Sequence, residues 1–304
     1  MGIDSRSPIV VLSYNKPNLT TRCLTSIVEA GYDTGEVYLI DNGSSPGILE
    51  EHLGRFPGLH AFRTEQNLGF AGGFNFGLRS VFESGHLSAL FLTNDTEITP
   101  QTVEHCMTCA GQHRAGIVAP CITYRKHPDK IDSIGGSFNR KTSTLRHYQD
   151  VDLPPLLGKS DYVPGTALWI SAEAFRTLGG TDERYHMYWE DVDLSFRAHE
   201  AGIVQARCYE AKIRHGIGQT CHKKPIYTLY YFQRNRIHFC RKYLTPDAWA
   251  QASRQIEMEL NELEERAEAK SDEKRLDYIA ELKNLLLMNR QSQAFQADKT
   301  IGTP

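Results

Sequence analysis

No apolar run in the chain approaches the roughly 20 residues needed to cross a bilayer as a helix. The apolar stretch in "MGIDSRSPIVVLSY" is too short for a secretory signal, so the expected setting is cytoplasmic, with peripheral contact at the inner face of the cell membrane left open. Charge of one sign is scarce too. Lys and Arg number 34 against 37 Asp and Glu, a net of −3, which gives no electrostatic footing for nucleic acid. Cysteine spacing is equally uninformative. Cys106 and Cys109 form a C-x-x-C, but no second pair or His cluster follows at zinc spacing, so free, partly buried thiols are expected. A dinucleotide-binding G-x-G-x-x-G is missing after the first apolar run, where "SYNKPN" stands instead. No G-x-x-x-x-G-K-S/T string occurs, and no internal repeat.

What the chain does have is length and alternation. It has 304 residues, 40% of them apolar and 23% charged, enough for one large domain or two smaller ones. "SPIVVLSYN", "EVYLIDN", "GLHAFRTEQN", "LSALFLTND" and "AGIVAPCITY" read as strands. Between them, "LTTRCLTSIVEAG", "FAGGFNFGLRSVFESG" and "TPQTVEHCMTCAGQ" read as helices, the first with Leu19, Cys23, Leu24, Ile27 and Val28 on one face. Such alternation implies an α/β fold with a mostly parallel central sheet. Ligands of these sheets bind beyond the carboxyl ends of the strands, so Ser13-Tyr14-Asn15, Asp41-Asn42 and Asn94-Asp95 should line one edge.

Residues 125 to 165 are rich in Gly, Pro and charge and read as an irregular excursion, a lid or acceptor-side loop. From Thr245 the composition shifts. Ile256, Leu260, Leu263 and Ala267 recur at coiled-coil spacing, and "EKRLDYIAELKNLLLMNRQ" makes a second amphipathic helix after a break at Ser271-Asp272. The expectation is a globular domain over 1–244 and a C-terminal α-helical hairpin over 245–304, disordered after Gln291 and suited to self-association.

Three groups could carry chemistry. Gly69, Gly72 and Gly73 allow a close backbone approach, either to a ligand or between helix and sheet. Glu190, Asp191 and Asp193 fall in the first turn of a helix, a place that acids favour through the helix dipole alone. They adjoin Tyr185, His186, Tyr188 and Trp189, and rings beside carboxylates suit a sugar. A carboxylate in a partly dry pocket can also serve as a base. His215, at the end of "QARCYEAKIRH", could join Asp95 in a metal site.

"VVLSYN", "LIDNGSS", "NLGFAGGFNFG", "FLTNDTEITP", "YVPGTALWIS", "YWEDVDLSFRAHEAG" and "IRHGIG" appear in that order over about Pro8 to Leu244. Together they resemble glycosyltransferase family 2 with its GT-A fold, in the branch of bacterial rhamnosyltransferases and galactofuranosyltransferases. The resemblance implies an inverting transferase that uses a nucleotide-diphosphate sugar, such as dTDP-rhamnose or a UDP-sugar, and a divalent cation, Mn2+ or Mg2+. The acceptor would be a glycan, a lipid-linked saccharide or a protein, in bacterial surface polysaccharide synthesis. Carried over by residue, Ser13, Tyr14, Asn15, Asp41, Asn67, Gly69 and Asn94 would line the nucleotide site. Asp95 and His215 would ligate the metal, and Asp191 with Glu190 would be catalytic. Tyr188, Trp189 and Arg234 would face acceptor or sugar. The family's D-x-D position reads "TND" here, one acid where the fuller motif has two or three. A non-catalytic sugar-nucleotide or glycan-binding protein on the same fold is the alternative. A sugar nucleotidyltransferase would need an N-terminal Gly-rich loop with Arg and Lys, which "VVLSYNKPN" lacks.

Overall fold

A computed structural model of the chain describes residues 6–216 and 226–299, with side chains as far as Gln291. The strands are β1 (Ile9–Ser13), β2 (Val37–Asp41), β3 (His60–Arg63), β4 (Ser88–Thr93), β5 (Thr96–Ile98), β6 (Ile117–Tyr124), β7 (His127–Ser133), β8 (Gly136–Asn139), β9 (Thr144–His147), β10 (Asp161–Tyr162), β11 (Ala167–Ser171) and β12 (Gln205–His215). The helices are α1 (Pro17–Glu29), α2 (Ile48–Arg55), α3 (Gly69–Glu83), α4 (Thr102–His113), α5 (Ala172–Leu178), α6 (Glu190–Glu200), α7 (Ile226–Tyr243), α8 (Pro246–Glu268) and α9 (Glu273–Lys299). The chain forms two compact units: 1–137 with 146–220, and 138–145 with 221–304.

The first unit is built on a sheet of order β3-β2-β1-β4-β11-β6-β12-β5, with β7 paired to β6. Strands β3, β2, β1 and β4 run parallel, as the alternation of strands and helices demands. Beyond β4 the sheet is mixed, because β11 pairs antiparallel with both β4 and β6. Period-two alternation along the central strands feeds two cores. Ile9, Val11, Leu39 and Leu92 face Leu24, Ile27 and Cys106 on one side, while Val10, Leu12, Ile40 and Phe91 face Phe74 and Leu78 on the other. Each such buried side chain contributes about 2 kcal/mol. Pro17 opens α1 with its fixed φ, and Cys23, Leu24 and Ile27 are buried as expected, but Val28 is 45% exposed. Gly73 and Gly77 are packing positions, since a Cβ on Gly77 would sit 2.9 Å from both Ile40 and Val10.

Residues 125–165 are not an irregular loop. They hold β7, β8, β9 and β10, the last three forming a small sheet of order β10-β8-β9. Their polar, half-exposed sequences, such as "HPDKIDS" in β7, hide the strand signal because one face is solvated.

The second unit is larger than the expected hairpin. It takes in α7 and the turn 138–145 along with α8 and α9. Phe138 packs edge-on to Phe239, and the buried Arg236 donates to Ser143 and Glu259. The chain breaks between α8 and α9 at Ser271 (φ 50°), as expected, but α9 runs on to Lys299, past Gln291. Ile256, Leu260 and Ala267 are buried within this unit together with Trp249, Ile279, Leu282 and Leu286. The apolar seam expected to serve self-association is therefore closed by helices of the same chain. Among the described residues, no helix is long and apolar enough to cross a membrane.

Candidate active site

Parallel register brings the strand tips together as expected. Ser13 pairs with Asp41, Leu12 with Thr93, and the Asn94 amide donates to the Leu12 carbonyl at 3.1 Å. Within this edge the side chains divide by exposure. Tyr14 is 46% exposed and offers a free ring face, with Asn15 half-buried beside it and Asn67 exposed. Ser13 is buried on Thr20 (2.7 Å), and Asn94 turns its amide to the same Thr20 (2.9 Å), so both tie the tips to α1. Asp41 is 2% exposed, and its Oδ1 accepts from the Ser44 amide at 2.9 Å. Its buried Oδ2 has no hydrogen-bond partner among the described residues and faces Arg63 at 3.6 Å.

Asn42, expected at this edge, serves as part of its frame. Its buried amide donates to Asn67 Oδ1 and the Gly69 carbonyl, and its oxygen accepts from the Leu68 amide, fixing the turn into α3. At Gly69 the close approach is to protein. With φ +73°, an added Cβ would lie 2.3 Å from His186 Nδ1 and 2.5 Å from its carbonyl oxygen. Gly69→Ala is expected to destabilise the fold by about 2 kcal/mol or more, read as a lower urea midpoint at unchanged slope.

Asp95 and His215 are 120 positions apart and meet through the sheet. The end of β12 lies between β5 and β6, His215 opposite Thr96 on one side and Tyr124 on the other. His215 Nε2 is 3.2 Å from Asp95 Oδ2, and the Gly216 amide donates to the Asp95 carbonyl at 3.0 Å. Thr93 donates to the other Asp95 oxygen at 2.7 Å. The imidazole's Nδ1 lies 3.5 Å from Asp132 Oδ2 of β7. Burial works against the charge on His215, but Asp132 and Asp95 outweigh it and push its pKa up to about 9. Burial likewise raises Asp95, and the His215 and Thr93 bonds outweigh it, so the carboxyl sits below its ordinary value. Gly218, the second glycine of "IRHGIG", lies outside the described residues.

The carboxylate cluster resolves into three roles. Asp193 is fully buried and spoken for, with Arg197 Nε at 2.7 Å and the Tyr185 hydroxyl at 3.3 Å. Glu190 is 4% exposed, and its Oε2 has no hydrogen-bond partner among the described residues. Burial, with the neighbouring Asp191 charge, raises its pKa well above the ordinary carboxyl value. Asp191 is partly exposed and accepts from the Gly165 amide (2.9 Å) and its neighbour Val192 (2.8 Å). Burial raises it too, but those bonds and the His147 charge hold the rise in check, so Asp191 ionises before Glu190. Tyr162 stands within the electric fields of both Asp191 and Asp132, which relates the carboxylate cluster to the Asp95–His215 pair. Gly165, in "YVPGTALWIS", is a second residue not singled out beforehand. A Cβ there would meet Phe70 at 2.8 Å and the Asp191 Cβ at 3.5 Å.

The segment leading into α6 is strained. His186, Tyr188 and Trp189 have φ of 62°, 68° and 73°, each costing about 1–2 kcal/mol for a residue with a Cβ. That backbone buries the Trp189 ring, 1% exposed, so Trp189 presents no face to a sugar; Tyr188 is half-buried. Arg234 lies on α7 in the second unit, its guanidinium 4.8 Å from the Tyr231 ring centroid and its Nε donating to Asn235.

The strand-tip edge thus carries a buried carboxylate at Asp41, a carboxylate–imidazole pair at Asp95 and His215, and Asp191 at the head of α6. The family description "Glycosyl transferase family 2" matches residues 9–179. The chain belongs to glycosyltransferase family 2. It is 26% identical over 243 residues to the N-acetylglucosaminyl-diphospho-decaprenol L-rhamnosyltransferase of Mycobacterium tuberculosis, covering 72% of this chain and 78% of the relative. It is 25% identical over 226 residues to galactofuranosyltransferase GlfT1 of Mycolicibacterium smegmatis, covering 71% and 72%. The solved structure of mannosyltransferase PcManGT from Pyrobaculum calidifontis, in complex with GDP-Man and Mn2+, aligns with a TM-score of 0.55 and 12% identity over 98% of this chain and 81% of that one. The fold is the nucleotide-sugar-binding GT-A fold, and the protein is a glycosyltransferase.

Proposed function

We propose that this family 2 enzyme is an inverting transferase that moves a sugar from a nucleoside-diphosphate donor to a hydroxyl of a glycan or lipid-linked saccharide. The observation that carries the reading is the carboxylate pair at the head of α6, where Asp191 is half-buried and held by the Gly165 amide at 2.9 Å beside the buried Glu190. Asp191 takes the proton of the acceptor hydroxyl while that oxygen bonds to the anomeric carbon. The bond to the diphosphate breaks in the same displacement, and its electron pair leaves on the diphosphate, which inverts the centre. Tyr14, Asn15 and Asn67 face the nucleoside, and Oδ2 of Asp41 accepts from a base N–H or a ribose hydroxyl.

Asp95 and His215 are the residues that would hold a divalent cation. Mixed carboxylate and imidazole donors suit Mn2+, and their 3.2 Å separation is close to the roughly 3 Å between adjacent donors on an ion of this size. When bound, the cation offsets the charge that develops on the leaving diphosphate. Among the described residues, no cluster of three or more His, Cys, Asp or Glu side chains is arranged around one ion, so donor oxygens and water would complete the shell. The mycobacterial rhamnosyltransferase makes dTDP-rhamnose with a polyprenyl-diphosphate acceptor the first pair to try, and UDP-hexoses the second. A thermal-shift screen of nucleotide sugars with Mn2+ should pick out one donor class by a rise of several degrees in Tm. No stabilisation and no donor turnover across the panel would overturn the reading.

A further inference from the structure

Asp132 is a carboxylate near the strand-tip edge that the proposed reaction leaves without a task. It is 8% exposed on β7, and nothing in its own strand requires a buried charge there. Its Oδ2 faces the far side of the His215 ring, 3.5 Å from Nδ1, while Nε2 faces Asp95 at 3.2 Å. The imidazole is thus spanned by one carboxylate from β7 and one from the turn between β4 and β5. Asp132 is itself held. Tyr124, the register neighbour of His215 on β6, directs its phenol to the Asp132 carboxylate, and Gln149 bonds that phenol and the Asp132 carbonyl (3.4 Å). The β6–β7 ladder slips in register at Ile122/Thr123 and again at Thr123/Tyr124, the irregularity by which strands re-aim a side chain.

We infer that Asp132 is a positioning residue for His215, holding the Nδ1 edge of the ring so that Nε2 is presented beside Asp95 as a cation donor. The inference rests on the proposed role of Asp95 and His215. An imidazole binds a metal through one nitrogen, and a carboxylate on the other nitrogen fixes tautomer, ring orientation and basicity. Tyr124 extends the arrangement at the carboxylate, and Gln149 at the Asp132 backbone carbonyl.

The test is Mn2+ binding to the full chain, read from the EPR signal of free Mn2+ without sugar nucleotide. Asp132→Asn keeps the shape and removes the charge, and should weaken Mn2+ binding about 10–100-fold. Tyr124→Phe, a milder change that keeps the fold if Asp132→Asn does not, should weaken it by a smaller factor. Asp132→Glu should recover part of the loss. In the Mg2+-loaded protein, long-range 15N correlation should show His215 as the Nδ1–H tautomer, a preference weakened in Asp132→Asn. A structural role alone would lower Tm and leave Mn2+ affinity and tautomer unchanged, and that result overturns the inference while the metal site stands. A wild-type protein with no Mn2+ affinity that His215→Ala or Asp95→Ala removes overturns both.

Discussion

Asp191→Asn is expected to lower kcat on the order of 1,000-fold with little change in KM for the donor. Loss of a positioned general base typically costs 10² to 10⁴ in rate. The substitution keeps the side chain's shape and its acceptor for the Gly165 amide, so the fold should survive. Glu190→Gln is the contrast. Glu190 takes no proton in the proposed step, so this change should cost less than tenfold, although the two carboxyls are adjacent in sequence. The pH profile separates them further. Asp191 must be ionised to act, and its pKa lies above the ordinary carboxyl value, so kcat/KM should fall as pH drops through that raised value. Equal losses in the two variants would show that the cluster has been divided wrongly.

Asp95→Ala or His215→Ala should lower kcat/KM about 100-fold or more, the scale for removing one group that stabilises developing charge. Both should also abolish the Mn2+-dependent part of donor-induced thermal stabilisation. Because the two side chains lie on one edge at 3.2 Å, the double variant should lose little beyond either single one. Additive losses, read from kcat/KM of the three variants, would mean that they do not act as a unit.

The parallel half of the sheet and its tips were readable because "IVVLS", "VYLID" and "SALFLT" are buried apolar runs, each ending in polar residues. His215 was paired with Asp95 as a possibility from donor chemistry and by the family resemblance, since nothing local says that β12 inserts between β5 and β6. Asp132 and the strands of residues 127–162 escaped notice because half-solvated strands carry charge in place of an apolar pattern. Trp189 misled for another reason. Its position beside the carboxylates is legible, but its burial follows from three left-handed positions within a four-residue span, which no propensity scale anticipates. The chain's division escaped too, because α7 reads like an extension of the first unit until Phe239 and Arg236 are seen packed on the 138–145 turn.

The most direct test of the account is the anomeric configuration of the first-formed product, followed by NMR with the donor that stabilises the protein. Inversion at the anomeric carbon, lost in Asp191→Asn, is the expected result. Retention of configuration, or turnover undiminished in Asp191→Asn, would contradict it.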